Sequence, residues 1–278
     1  MRPMRTIISI AIAMLATAAR VLDNPLLLEW HNAAAVFYDP INAHIGLALL
    51  THQLGYFDIL PLYVVLMAFA PAIVLIHRTA PNWLLPISLS IYLIALVFQI
   101  SFPTWPGNDE WFFNPLAWQL VYVLGFLMAR ERGVGGFVRG HIVQVRWIAV
   151  PVLIVMSVLV LKKWWPDPTL MPQPRLLFVL SKHYVSPPRL LQFLALIAVF
   201  SVVYPHIAKW LPRLTDFLAK LGRNSLYVFC VCSLLSLGSQ IIRFVYNGSI
   251  VVDTVLVSVG IFMLWLTAWI AEWRRERT

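Results

Sequence analysis

The chain has 278 residues, 60% of them hydrophobic and only 12% charged, with a formal net charge of +9. Soluble domains carry roughly 25% charged residues, so this composition, with a mean hydropathy of +0.79, excludes an ordinary soluble enzyme. The positive charge does not point to nucleic acid, because the basic residues form short clusters between apolar runs and no basic face with interleaved aromatics.

Continuous apolar runs predict an all-α polytopic membrane protein with about eight spans. In chain order they cover residues 6–22, 58–77, 83–102, 114–130, 147–161, 190–208, 225–242 and 250–271. Each approaches the roughly 20 residues needed to cross a bilayer, although the first and fifth are short. The runs are continuous and do not alternate, which argues against a transmembrane barrel. The first run begins "MRPMRTIISIAIAMLATAA", whose basic start, apolar centre and small-residue end also fit a signal peptide.

Loop charges set the expected orientation. Arg2 and Arg5, Arg78, the set Arg130, Arg132, Arg139 and Arg146, the set Lys209, Arg213, Lys220 and Arg223, and finally Arg274, Arg275 and Arg277 flank alternate ends of the spans. The intervening loops 23–57 and 103–113 contain no Lys or Arg but do contain Asp23, Glu29, Asp39, Asp109 and Glu110. Positive loops face the cytoplasm, so both termini are expected there. Loop 162–189 disagrees: it should face outward yet carries Lys162, Lys163, Arg175, Lys182 and Arg189.

Polar residues at span ends are the informative ones, because hydrocarbon penalises them unless they find partners. By the alternation, Asp58, Gln99, Asn114, Gln119, Arg189, Gln192 and Asp253 gather near the outer leaflet, as the walls of an outward polar chamber would. Interfacial capping and snorkelling account for the same residues one at a time, and an aromatic belt accounts for Trp111 and Trp118. The stretch "WFFNPLAWQ" at 111–119 is where amides and tryptophans coincide. Cys230 and Cys232, two positions apart on a helix, point in different directions and form no disulfide. None of the seven histidines, His31, His44, His52, His77, His141, His183 and His206, has a metal-like spacing, and no nucleophile elbow, zinc motif or phosphate loop occurs.

Five strings occur in a common order: "LDNPLLLE" (22–29), "FDILPLYVVL" (57–66), "WFFNPLAWQLVYVLG" (111–125), "PPRLLQFLAL" (187–196) and "LGRNSLYVFCVCSLL" (221–235). Together they resemble the OpgC family, bacterial membrane O-succinyltransferases of osmoregulated periplasmic glucans within the wider integral-membrane acyltransferase superfamily. The resemblance covers almost the whole chain as one domain over residues 1–278. It implies a family bundle of about ten spans in the inner membrane. The implied activity is transfer of an acyl group, typically succinyl, to hydroxyls of a periplasmic glucan. Succinyl-CoA or a similar acyl-CoA is then the donor substrate, with no bound cofactor, no metal and no nucleic-acid partner; the oligomeric state stays open.

The family places a base histidine in its first span, because a sugar hydroxyl's own pKa is far too high for attack on a thioester. "LDNPLLLE" normally follows the third family span but here starts at Leu22. The first segment therefore reads as a remnant of that third span and not as a signal peptide. The family's first two spans and part of the third are then lacking, with the base histidine and upstream arginines, and the isolated chain is expected to be inactive. Gln192 also stands where the family pattern has His.

Candidate roles follow from the strings and from side-chain chemistry. Asn114, Trp118 and Gln119 are expected on the acceptor side, where a flat ring suits a sugar face and amides both donate and accept. Asp58 is expected to orient a base or a sugar hydroxyl, or to cap its helix. Arg189 suits a donor carboxylate or phosphate, or a lipid phosphate. Arg223, in "LGRNSLYVFCV", is the candidate for a CoA phosphate on the donor side, and Asn224 or Ser225 is expected to cap the next helix. Two rival classes are a transporter, which also needs outward polar residues, and a non-catalytic membrane scaffold.

Overall fold

The computed structural model describes residues 2–55, 57–107, 109–162, 172 and 174–276. Lys163 and Arg277, counted among the loop charges, lie outside the described residues. In chain order the α-helices are α1 (Arg2–Val21), α2 (Leu26–Glu29), α3 (Ala35–Tyr38), α4 (Pro40–Leu49), α5 (Ile59–Thr79), α6 (Leu84–Val97) and α7 (Pro115–Met128). They continue with α8 (Val134–Gly140), α9 (Ile142–Leu161), α10 (Pro187–Trp210), α11 (Pro212–Arg223), α12 (Ser225–Val245) and α13 (Ile250–Arg275). The one β-type feature among the described residues is an isolated antiparallel bridge between Pro103 and Glu110.

The chain is an all-α, multi-pass membrane protein. Helices α5, α9, α10, α12 and α13 are long and apolar enough to cross a membrane. The other three expected spans fall on shorter apolar helices, Thr6–Val21, Pro81–Val97 and Pro115–Met128. At 1.5 Å per residue the 14-residue α6 and α7 reach only about 21 Å, against a hydrocarbon core of about 30 Å. The expected span 83–102 stops at Val97 because Gln99 takes a positive φ of 53° and turns the chain out of the helix. The fifth span is longer than expected, since α9 already begins at Ile142. Prolines inside α5, α9 and α10 (Pro71, Pro151, Pro205) are tolerated as they are in other membrane helices.

Residues 1–57 with 207–278 form one compact unit, and residues 58–206 form another. In the first unit α1 packs on α12, and α12 and α11 pack on α13. Among the described side chains of α1, Ala11, Leu15, Ala18 and Ala19 are buried; their spacing puts small side chains on one stripe, which lets helices approach closely. Loop 22–57 is built from short helices. Asp39 begins α4: its carboxylate accepts from the Asn42 amide N–H and side chain at 3.5 and 2.8 Å, with Pro40 in the first turn. Cys230 is buried, Cys232 half-buried, and both are free thiols.

In the second unit α6 and α7 form the tightest helix pair, with α5 against α7. Their core holds Tyr92, Leu96, Ala117 and Leu120 together with Tyr184 and Val185 from the loop before α10. A further cluster of Ile73, Leu84, Val123 and Leu127 joins α5, α6 and α7. Ala149 packs with Ala195 and Ala198, joining α9 to α10 through small residues. Arg146 of α9 reaches Ser201 Oγ of α10 at 3.1 Å.

Candidate functional site

Three of the side chains singled out in the sequence, Asn114, Trp118 and Gln119, meet at one end of the second unit, where α6 ends and α7 begins. Pro115 occupies the first turn of α7, and the preceding Asn114 caps it through Oδ1, which accepts from the Leu116 amide at 3.0 Å. Asn114 is fully buried, and its Nδ2 donates to the Ile100 carbonyl at 2.7 Å. The cap thereby also fastens the chain leaving α6. Gln119, one turn further on, is a clamp between helices: Ser88 Oγ donates to its Oε1 at 2.6 Å, and its Nε2 donates to the Ser88 carbonyl at 2.8 Å and the Leu116 carbonyl at 3.2 Å.

The loop before α10 folds onto the same end. Trp118 Nε1 donates to the Lys182 carbonyl at 3.2 Å, and its ring meets Phe113 edge-on with centroids 5.1 Å apart. The Asn114 amide donates to the His183 carbonyl at 3.3 Å. Two tyrosines hold backbone that is unusual on its own. Tyr92 donates to the carbonyl of Val185, whose φ is 47°, and Tyr184 donates to the carbonyl of Gln99, whose φ is 53°, both at 2.8 Å. A β-branched residue in the left-handed region persists only when its surroundings over-determine it. The basic loop that broke the charge alternation is thus bonded to the acidic loop 103–113.

This docking assembles a cluster that no spacing in the sequence reveals. His183 Nε2 lies 3.0 Å from Ser101 Oγ and 3.2 Å from a carboxylate oxygen of Glu110. The Tyr184 ring lies against the His183 ring at 4.5 Å, and its hydroxyl lies near Glu110 and Ser101. Burial lowers the His183 pKa, and the opposing pull of the Glu110 carboxylate and of a hydrogen bond to the Phe112 backbone does not reverse it. Burial, reinforced by Glu110, pushes Tyr184 up to about 12, so its hydroxyl stays protonated. Ser101, Glu110 and His183 come from three separated loop positions, and the nearest signal in the sequence was the acidic character of loop 103–113. Beside them, the buried Trp111 has an indole N–H without a partner among the described residues, and its ring is tilted against Phe102 at 5.9 Å.

The remaining candidates lie elsewhere. Asp58 immediately precedes α5 and makes no side-chain capping bond. Arg189 sits in the first turn of α10 with a buried Nε that has no hydrogen-bond partner among the described residues. In the first unit, Arg223 at the end of α11 donates to Glu272 of α13 through Nε and Nη2 at 3.1 and 2.8 Å. Asn224 stands at the start of α12, but its side chain does not cap that helix. It donates to the Lys220 carbonyl at 2.9 Å and accepts from Arg275 at 3.2 Å, joining α11 to α13. Among the described residues no group of three His, Cys, Asp or Glu side chains could hold a metal ion.

The first unit also contains an open groove of about 390 Å³ lined by Trp30, His31, Gln240, Arg243 and Phe244. Trp30 and Phe244 meet edge-on at 5.7 Å, and Arg243 Nε lies 3.3 Å from the Asp253 carboxylate.

A family model described as OpgC protein matches residues 4–276, nearly the whole chain. No curated protein and no solved structure matches it.

Proposed function

Because the chain belongs to the OpgC protein family, we propose that it transfers an acyl group, succinyl foremost, from a CoA thioester to hydroxyls of a periplasmic glucan. The family match over residues 4–276 carries this reading. The cluster at His183 supports it, because attack by a sugar hydroxyl needs a proton acceptor. The expected setting is the bacterial inner membrane, with both termini in the cytoplasm. The acidic loop 103–113 then assigns the end of α6 and the start of α7 to the periplasmic side, and the loop before α10 goes with them through its bonds to that end, against its own basic charge.

In this reading His183 accepts the proton. With its pKa lowered by burial the imidazole is neutral near pH 7; in the tautomer protonated at Nδ1, Nε2 keeps its lone pair beside Ser101, and Glu110 becomes its partner once Nε2 is protonated. The sugar oxygen forms a bond to the acyl carbon while the thioester C–S bond breaks. The hydroxyl proton passes to Nε2 and then to the departing CoA thiolate, leaving an ester and free CoA. Glu110 stabilises the imidazolium that forms between these steps. The Trp118 ring offers a face to the sugar, while Asn114 and Gln119 act by holding the ends of α6 and α7 in place. Asp58 and Arg189 are the remaining polar candidates for substrate contact. Arg223 belongs to the donor end, where the guanidinium donors not used by Glu272 suit a CoA phosphate.

The deciding experiment supplies radiolabelled succinyl-CoA to membranes that contain this chain, taken from cells lacking their own glucan succinyltransferase. The sequence alone leads to an expectation of inactivity; with His183 as the base, label in the glucan and equal release of CoA are expected instead. Glucan that crosses the membrane unmodified would favour a transporter, and neither outcome would leave a scaffold.

A further inference from the structure

We propose that α11 lies flat in the membrane boundary and holds anionic phospholipid. Helices α10 and α12, both long and apolar enough to cross a membrane, are joined through α11, with Leu211 before it and Asn224 after it. Its 12 residues reach only about 18 Å, well short of a hydrocarbon core of about 30 Å, so α11 is not a further span. A helix that joins two spans without crossing sits where hydrocarbon meets headgroups.

The side chains of α11 fall into three rows. Thr215, Ala219 and Arg223, four apart, form the row turned to α13: Thr215 is buried, and Arg223 bonds Glu272. Leu211, Leu214 and Leu218, three and four apart, form an apolar row whose members are between 44% and 53% exposed. Arg213, Asp216 and Lys220 form a charged row, in which Lys220 pairs with Asp216 at 2.9 Å. An apolar row beside a charged one on a short helix is the pattern of a helix embedded in a lipid interface. Trp210, exposed at the end of α10, is the residue type that settles at headgroup level.

Charge decides which lipid. Lys209 in the last turn of α10 and Arg213 in the first turn of α11 are exposed at the start of the apolar row. Neither makes an ion pair among the described residues. A zwitterionic headgroup brings a cation of its own to these two, whereas an anionic lipid brings only acceptors. A second copy of the chain is a poorer cover. A two-fold contact sets the same patch on both sides, so that cations would face cations. An anionic amphiphile satisfies the leucines and the cations together. The preference rests on this stretch alone and needs no acyl transfer; only the choice of the cytoplasmic leaflet rests on the topology proposed above.

The test places the full chain in phosphatidylcholine discs containing a trace of phosphatidylglycerol with a photoreactive diazirine on its acyl chain. Cross-linked peptides are then mapped by mass spectrometry. Labelling of residues 211–221 should exceed that by the same diazirine on phosphatidylcholine about fivefold, the effect of one basic residue near an anionic surface. Unlabelled phosphatidylglycerol should displace the excess, and inorganic phosphate should not. Lys209→Gln with Arg213→Gln should abolish the excess, and Lys209→Arg with Arg213→Lys should retain it. Unaltered labelling of α12 and α13 identifies variants that keep the fold. Equal labelling by the two lipids, an excess that survives loss of both cations, or displacement by phosphate alone would overturn the proposal. Labelling that appears only after a dimer is dissociated would also overturn it, by assigning the leucines to a protein contact.

Discussion

Tyr92, in the middle of the short apolar helix α6, donates its hydroxyl to the carbonyl of Val185, 93 positions further along the chain, at 2.8 Å. Both residues are buried, so neither group can turn to water if the other is lost. Removing one partner of a buried hydrogen bond leaves the other unsatisfied, at about 1–3 kcal/mol. Tyr92→Phe should therefore destabilise the protein by about that amount. It should also free Val185 from its left-handed conformation, loosening His183 two positions earlier. Thermal unfolding in detergent measures the first effect, and acyl transfer the second. Unchanged stability would show that the loop docks without this bond.

The Ser88–Gln119 clamp makes a second case. Gln119→Leu leaves the Ser88 carbonyl and hydroxyl without their partner between α6 and α7. The expected result is strongly reduced transfer at normal membrane levels. In a double-mutant cycle with Ser88→Ala the coupling should be about 0.5–3 kcal/mol, as for residues in direct contact. Additive losses would mean that the two residues act separately.

His183 should dominate the pH profile. Its pKa is lowered by burial, so the folded protein binds fewer protons there than the unfolded chain does just below the ordinary value of 6.5. The stability contributed by neutral His183 is present above pH 6.5 and is lost as pH falls through the lower folded value. Transfer activity should fall over the same acidic range, because a protonated imidazole cannot accept a proton. His183→Asn should cost about 100- to 10,000-fold in rate, the usual contribution of a general base, and flatten that limb. A variant that keeps the limb would assign it to another group.

In the first unit, Arg223→Lys keeps the charge but gives up the paired contact with Glu272. If the remaining guanidinium donors hold a CoA phosphate, the KM for acyl-CoA rises several-fold while kcat stays unchanged, as expected when binding common to substrate and transition state is removed. Glu272→Gln should leave that KM much closer to its starting value. Equal effects from both substitutions would make the Arg223–Glu272 pair a structural tie between α11 and α13.

The helical class, the approximate positions of the apolar segments and the family were legible in the residues themselves. Hydrophobic run length and local capping are encoded within about 20 consecutive positions, as Asn114-Pro115 shows by starting α7 where expected. Helix lengths were less legible. Nothing in the composition of 98–102 ends a helix, and α6 stops because Gln99 is held at positive φ by a bond from Tyr184. The cluster of Ser101, Glu110 and His183 was not legible at all, since its members lie up to 82 positions apart and meet only when a basic loop docks on an acidic one. The same holds for Trp30 and Gln240, which line one groove from opposite ends of the sequence. Sequence by itself determined what each segment could bury; the tertiary structure decided which polar groups those burials brought within hydrogen-bonding distance. The reason is physical: apolar burial scales with local composition, whereas a polar contact exists only where two backbones place its atoms about 3 Å apart.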